Sequence, residues 1–354
     1  MSTKKILSAV ASTINLFIIL TLINSNSKAE ENNIKYYSNE VGTLALMYHR
    51  FNEPKYSSTN IQMDIFKNQI EIIKKLNYNF YDPGEFKEKF NIPKDEKKIL
   101  ITIDDAFSSF YKNAWPFLKK NRIPFILFVS TETVGNFGYM SWEEIKEIEK
   151  ENYAYIGNHS HSHDYFINLS NKVFLDDLEK ANKIFIEKIG YNPIYFSYPF
   201  GEYNYFIRDY ISKNFEFAFG QHSGVIDINK DKFELPRFPI NEKYGDLDRF
   251  KFVIKLQPLQ FKNLEPKNKF IKKKNNPPLF SVEFFKEQTN LNNINCYSDE
   301  GNQWNKSKIY FVDKSLKIEF RDKFKFRRGR INCSLNDNGI WRWFGVQFSV
   351  DDNS

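Results

Sequence analysis

The sequence predicts an α/β fold arranged as a barrel, followed by a small β-rich domain. Three observations predict it. Apolar runs of strand length alternate with helix-period segments from Leu44 to beyond Tyr198. A Lys- and Asn-rich stretch ending in Pro277-Pro278 interrupts that rhythm. Beyond it, short runs of β-type residues are separated by turn signals.

Leu44-Ala-Leu-Met-Tyr48 reads as a buried strand, and Met63, Phe66, Ile70 and Ile73 then fall on one helical face. Ile99–Ile103 is the next strand, followed by a helix with Phe110, Ala114, Phe117 and Leu118 inward. The strand Phe125–Val129 precedes a helix marked by Trp142, Ile145 and Ile148. A strand at Tyr153–Ile156, a helix carrying Phe174, Leu178, Ala181 and Phe185, and a strand at Tyr195–Tyr198 continue the series. Strands alternating with helices imply a parallel sheet with right-handed crossovers, and this length favours a barrel over an open sheet. In the C-terminal part, Ser281–Phe285, Lys308–Val312, Leu316–Phe320 and Trp343–Phe348 read as strands of an antiparallel domain. Turns are expected at Arg328-Gly329 and Asp337-Asn-Gly339.

The expected organisation is a signal peptide at 1–29, a barrel domain at 30–261, a linker at 262–278 and a β-rich domain at 279–354. Lys4 and Lys5, an apolar stretch from Ile6 to Ile23, and the small-x-small site Ser27-Lys28-Ala29 form the export pattern. Polar interruptions leave Leu16–Ile23 as the strong apolar run, short for a membrane span. An exported, secreted, periplasmic or cell-surface monomer without a membrane span after cleavage is expected. The 354 residues carry a net charge of +7 from scattered basic residues. No nucleic-acid-binding module surrounds those residues, so a solvated basic surface is the reading. Cys296 and Cys333 are the only cysteines. In an exported chain they are expected to bridge, adding about 3 to 4 kcal/mol, with two buried thiols as the alternative.

Three polar clusters follow three of the predicted strands: Asp104-Asp105, His159-Ser-His-Ser-His163 and Pro199-Phe200-Gly201. In a parallel barrel the C-terminal strand ends share one face, so the clusters should converge there. His159 and His163, four apart, share one face of a regular element. With one carboxylate they make a set that leaves positions open for water, the pattern of a catalytic divalent-metal site. The other carboxylate is then free to act as a general base. His161 would face away from its neighbours. An Asp pair after a strand also serves as a helix N-cap, but three of the chain's five histidines fall within these five residues.

Thr102-Ile-Asp-Asp105, His159–His163 and Tyr198-Pro-Phe-Gly201, in that order, resemble the polysaccharide deacetylase family, also called the NodB-homology domain or carbohydrate esterase family 4. Leu46-Met-Tyr-His-Arg50 and Leu235-Pro-Arg-Phe238 add to the likeness, which spans Leu44 to about Ile240. The resemblance implies a distorted (β/α)7 TIM-like barrel and metal-dependent removal of acetyl groups from an N-acetylated polysaccharide. It implies Asp104 as general base and Asp105, His159 and His163 as ligands. The metal would be a divalent ion, zinc foremost, with cobalt, nickel or manganese as alternatives. It also implies an oxyanion and substrate site at Pro199 and Phe200, where the Phe200 N–H stabilises the tetrahedral oxyanion. The Tyr198–Tyr203 variant is similar to the branch acting on poly-β-1,6-N-acetylglucosamine, with peptidoglycan or another envelope glycan as alternatives.

The sequence departs from the family in three places. Ala106 stands where glycine is usual, and Ser197 where arginine is usual, leaving Arg237 as the candidate partner of the base. The family's late general-acid histidine is missing, and His222 is the unassigned histidine nearest that place. His49 is read as supporting the site from behind its ligands. Trp304, Trp341 and Trp343 lie near Arg327, Arg328, Arg330 and Arg342, suiting either a sugar platform or a packed β core. Two rival functions remain: a non-catalytic carbohydrate-binding protein on the same barrel, and a metal-dependent phosphate-ester hydrolase. The second lacks a phosphate-cradling glycine loop.

Overall fold

Seven parallel strands, with the short strand Asn79–Phe80 added beside Lys98–Ile99, form the sheet that carries the polar clusters. They are β1 (Thr43–Tyr48), β2 (Lys98–Ile103), β3 (Phe125–Val129), β4 (Ala154–Asn158), β5 (Tyr195–Ser197), β6 (Phe217–Phe219) and β7 (Phe238–Pro239). Their order is β7-β1-β2-β3-β4-β5-β6. The segment 232–235 lies along β6: Ala218 N donates to Lys232 O, Leu235 N to Ala218 O and Gly220 N to Leu235 O. The curved sheet is therefore continued toward β7 by irregular chain, giving the distorted (β/α)7 barrel. The computed structural model describes residues 34–301 and 303–351; the expected signal peptide lies outside them. From Tyr36 onward the chain is one compact unit. Among the described residues no helix is long and apolar enough to cross a membrane.

The longer helices are α1 (Met63–Lys75), α2 (Trp115–Asn121), α3 (Trp142–Glu149), α4 (Asn171–Ile189), α5 (Tyr205–Asn214) and α6 (Leu247–Val253). Ser141 and Glu144 close a capping box at the start of α3. The expected inward residues of α1, α3 and α4 are buried, apart from Trp142, which packs half-buried against the same core.

Strand alternation decides what faces where. Leu44, Leu46, Tyr48, Ile99, Ile101, Ile103, Phe125, Leu127 and Val129 point outward and share one buried cluster with Phe66, Ile70, Ile145 and Phe185 of the helices. Ala45, Leu100, Ile126, Phe128, Tyr195, Phe217 and Phe219 point inward and form another. Gly157 leaves the space that the Phe128 ring fills, since an added Cβ would lie 2.3 Å from it. Extended past the strand ends, the inward rows run Ala45-Met47-His49, Leu100-Thr102-Asp104, Gly157-His159 and Tyr195-Ser197. The same period that builds the inner core delivers these polar side chains to the barrel mouth.

The C-terminal strands are β8 (Gln257–Pro258), β9 (Asn263–Glu265), β10 (Phe270–Ile271), β11 (Ser281–Glu283), β12 (Ile294–Ser298), β13 (Asn305–Lys306), β14 (Lys308–Val312), β15 (Ser315–Glu319), β16 (Arg328–Asp337) and β17 (Ile340–Val350). One sheet runs β8-β17-β16-β12-β13 with β10 beside β17, and the other β9-β11-β15-β14. Two expectations need correction. The stretch 262–278 is not a free linker: β9 and β10 lie within it, and Leu264 and Ile271 are buried in the β-region's core. Its lysines and asparagines are interspersed with these inward residues, so composition concealed the strands. Arg328-Gly329 is not a turn either, for Gly329 pairs with Phe348 inside a long hairpin. Asp337-Asn-Gly339 does form that hairpin's turn, with Asn338 and Gly339 at positive φ. Cys296 and Cys333 sit directly opposite on β12 and β16 and are joined by a disulfide.

Candidate active site

Asp104 ends the inward row of β2 and is wholly buried. Its backbone N donates to Tyr48 O, 2.9 Å away. Arg237, also wholly buried, meets it with two parallel hydrogen bonds, Nη1 to Oδ1 at 2.7 Å and Nη2 to Oδ2 at 2.8 Å. The guanidinium is held in turn: Nη1 donates to Thr102 Oγ1, Nη2 to Ser197 Oγ and Nε to Gly220 O. Burial pushes the Asp104 carboxyl up. The Arg237 charge, then His159 and the Arg237 hydrogen bonds, outweigh it and hold the group below the usual carboxylate range. Neither aspartate caps a helix, since the next helical stretch starts at Ser108, after Phe107.

Asp105 turns away from its neighbour because its φ is 74°, followed by 51° at Ala106. This is why glycine suits the position that Ala106 fills: an L-residue there bears about 1 kcal/mol or more of strain. Asp105 Oδ1 lies 3.4 Å from His159 Nε2 and 3.3 Å from His163 Nε2. The three ligating atoms all fall within 4.8 Å of one another. His159 continues the inward row of β4, and its Nδ1–H donates to Ser197 O at 2.7 Å, a tautomer assigned from that bond. Nε2 is thereby left as the lone-pair nitrogen. His163 arrives by a turn and not by a shared helical or strand face: Ser160 and His163 have φ of 71° and 59°, and His163 N donates to Ser160 Oγ. Asp177 of α4 fixes the same turn by accepting from the N–H groups of His161 and Ser162.

His159 Nε2 and Asp105 Oδ1 are buried, face one another and have no hydrogen-bond partner. Two acceptor atoms so placed fit a shared cation, and two imidazoles with one carboxylate suit a divalent metal.

The third cluster forms a tight turn beside this triad. Pro199 is buried and Phe200 is left-handed, with φ 59° and ψ 3°. Gly201, at φ 69°, lies so close to Gln221 that a Cβ would meet its backbone N at 2.6 Å. The Phe200 ring lies edge-on to His163, 4.7 Å between centroids, and stacks on Tyr165 at 3.9 Å.

The other histidines separate. His49 reaches the mouth, Nε2 3.9 Å from Asp104 Oδ2. His161 bonds Thr131 Oγ1 through Nδ1 and stays outside the triad, as expected. His222 is not brought to the carboxylates. Its ring packs on Gly220 and lines a cavity of about 360 Å³ with Tyr244, Trp304 and Trp343, which none of the triad lines. Burial, then Lys269 and Lys230, push its pKa down to about 3, so it is a neutral imidazole and not an imidazolium acid at neutral pH. Of these tryptophans, Trp343 packs half-buried against the barrel core, while Trp304 and Trp341 are each 38% exposed. Trp341 lies 5.7 Å from Phe252, and Trp343 Nε1 donates to Ser223 Oγ. The contact of Thr102 with Arg237 and the parts played by Tyr165 and Asp177 escaped the sequence reading. A threonine in an inward strand row was a usable signal; the other two act only through loop geometry.

Comparison with known proteins agrees with this geometry. Residues 91–215 match the family model described as polysaccharide deacetylase. The poly-β-1,6-N-acetyl-D-glucosamine N-deacetylase of Staphylococcus aureus is 26% identical over 253 residues, 63% of this chain and 84% of that protein. Its Staphylococcus epidermidis counterpart is 25% identical over 282 residues, covering 68% and 94%. The structure of IcaB from Ammonifex degensii superposes with a TM-score of 0.54 at 26% identity, covering 60% of this chain and 97% of that one. The deacetylase PplD of Streptococcus pyogenes shares the fold, with a TM-score of 0.55 at 21% identity over 61% and 99% of the two chains.

Proposed function

We propose that the chain is a member of the polysaccharide deacetylase family and that it hydrolyses N-acetyl groups of an N-acetylglucosamine polymer, poly-β-1,6-N-acetylglucosamine foremost. The observation that carries the reading is the pairing of a buried Asp104–Arg237 fork with the Asp105, His159 and His163 triad at one barrel mouth. Zinc suits the triad best, with cobalt, nickel or manganese as alternatives. An ion bound there supplies Lewis acidity toward the acetyl carbonyl and a lowered pKa for the attacking water.

Asp104, kept ionised by Arg237, takes the proton from that water. The backbone N–H of Phe200 donates to the carbonyl oxygen as negative charge gathers on it. Collapse of the tetrahedral carbon breaks the C–N bond, and the departing nitrogen takes up a proton. Asp104, holding the proton taken from the water, is the group that returns it; burial lowers the pKa of His49 beside it, as it does that of His222. The leading residues 1–29 read as an export signal, and an extracellular or envelope polymer is a substrate that an exported enzyme meets.

The test is acetate release from β-1,6- and β-1,4-linked N-acetylglucosamine oligomers, with chelator and after metal add-back. Release from the β-1,6 series that chelator abolishes and metal restores is the expected result. Failure of the metal-loaded protein to release acetate from either series would overturn the enzyme reading and leave a carbohydrate-binding protein.

A further inference from the structure

The turn that carries Phe200 is held from outside the barrel. Gln347, on β17, donates from Nε2 to Phe200 O at 3.0 Å and to Gly201 O at 3.2 Å. The next residue, Glu202, is wholly buried, and Arg327 meets its carboxylate through Nε at 3.1 and 3.0 Å and Nη2 at 2.9 Å. The Arg327 guanidinium also lies 3.7 Å above the Tyr165 ring. Tyr165 stacks on Phe200, and Phe200 abuts His163. A continuous chain of contacts therefore runs Arg327, Tyr165, Phe200, His163, ending edge-on at a triad residue.

We infer that the β-rich region is a working part of the deacetylation site, with Gln347 and Arg327 as positioning residues for the Pro199–Gly201 turn. The reasoning starts from backbone strain. A left-handed phenylalanine costs on the order of 1 kcal/mol or more and persists only when its surroundings over-determine it. Here two carbonyls, one buried carboxylate and one ring face do so, and β17, its partner strand or the segment leading to it supplies a group to each chain of contacts. An oxyanion donor works only if aimed before the charge develops, and displacement of about 1 Å costs up to ~100-fold in rate. The polar contacts of Gln347 are spent on backbone carbonyls of the turn, a use that a merely adjoining domain does not require.

This inference rests on the proposed role of the Phe200 N–H, so its test needs two readouts. The variants are Gln347→Leu and Arg327→Met, compared with Arg327→Lys, which keeps the charge but not the flat fork. On a small acetyl ester, kcat should fall about 10-fold in Gln347→Leu and by a similar factor in Arg327→Met, with KM within about twofold, as expected for a contact realised in the transition state. Arg327→Lys should recover part of that loss. Independently of activity, amide hydrogen exchange in a peptide spanning Tyr198–Tyr203 should quicken in both variants while peptides from β2 and β3 keep their rates. Unchanged exchange in that peptide overturns the inference whether or not the enzyme is active. Faster exchange with wild-type kcat leaves the turn anchored by these residues but sinks the catalytic claim. A kcat loss accompanied by faster exchange throughout the barrel marks general destabilisation and also overturns it.

Discussion

The two ends of the barrel bury carboxylates in opposite company. At the mouth, Asp104 is enclosed against an equally buried guanidinium and stays below the usual carboxylate range. At the other end, where β1 begins, Glu40 and Asp227 are each 2% exposed. Burial first, and the Asp227 charge second, push the Glu40 carboxyl up to about 8. Asp227 has Lys230 at 3.0 Å, whereas Glu40 accepts the backbone N–H of Ile228 at 3.2 Å. Equal burial thus yields an anion at one end and a protonated acid at the other. What differs is a forked cation whose remaining donors are themselves tied down. A charge is kept in a dry site only where its counter-charge is built in, and the barrel makes that investment at the end where chemistry needs a base.

The largest break in this comparison should come from Asp104→Asn. Acetate release should fall about 10²- to 10⁴-fold while bound metal stays stoichiometric, because a base is lost and no ligand is. Metal analysis beside acetate release checks it. Loss of metal in this variant, with retention in Asp105→Asn, would mean that the two aspartates exchange roles.

Arg237→Met tests whether the counter-charge sustains the anion. Removing one partner of a buried pair leaves an uncompensated charge, and unfolding free energy should drop by about 3 to 5 kcal/mol. Urea unfolding at neutral pH measures it. A drop below about 1 kcal/mol would show that water reaches Asp104 and that the fork does not carry it.

The smallest effect belongs to the opposite end, and its sign is reversed. Glu40 binds its proton more tightly folded than unfolded, so the folded state holds more protons between about pH 4.5 and 8. Stability from this group is therefore fully present at low pH and falls as pH rises through that window. Glu40→Gln keeps an acceptor for Ile228 N and removes the titration. The variant should gain about 1 to 2 kcal/mol over the wild type at pH 8.5, and the difference should shrink toward zero near pH 5. Urea melts of both proteins at the two pH values check this, and a pH-independent difference would contradict it.

Much of the fold could be read along the chain because one period serves two purposes. The alternation that marks β2 as a buried strand also places Thr102 and Asp104 inside, and the same holds for His159 on β4 and Ser197 on β5. Strands β6 and β7 escaped notice because three and two residues are too few to show a period. His222 misled because proximity in sequence to the end of the domain said nothing of the ring's direction; it points into the cavity beside Trp343. The stretch 262–278 misled because its strands are three and two residues long and each buries a single apolar side chain amid the surrounding lysines and asparagines.

By itself the sequence determined the barrel's strand rows, the identity of the carboxylates and imidazoles at their ends, and the cysteine pair available for a bridge. Those follow from local periodicity and from residue chemistry, which are written in neighbouring positions. Only the tertiary structure decided that Arg237, a candidate by resemblance, grips Asp104 with a two-bonded fork from 133 residues away, that His159 is oriented by Ser197 O, and that Gln347 holds the Phe200 turn across 147 residues. Such contacts depend on how distant segments pack, and a single glutamine or arginine gives no periodic signal of the partner it will meet.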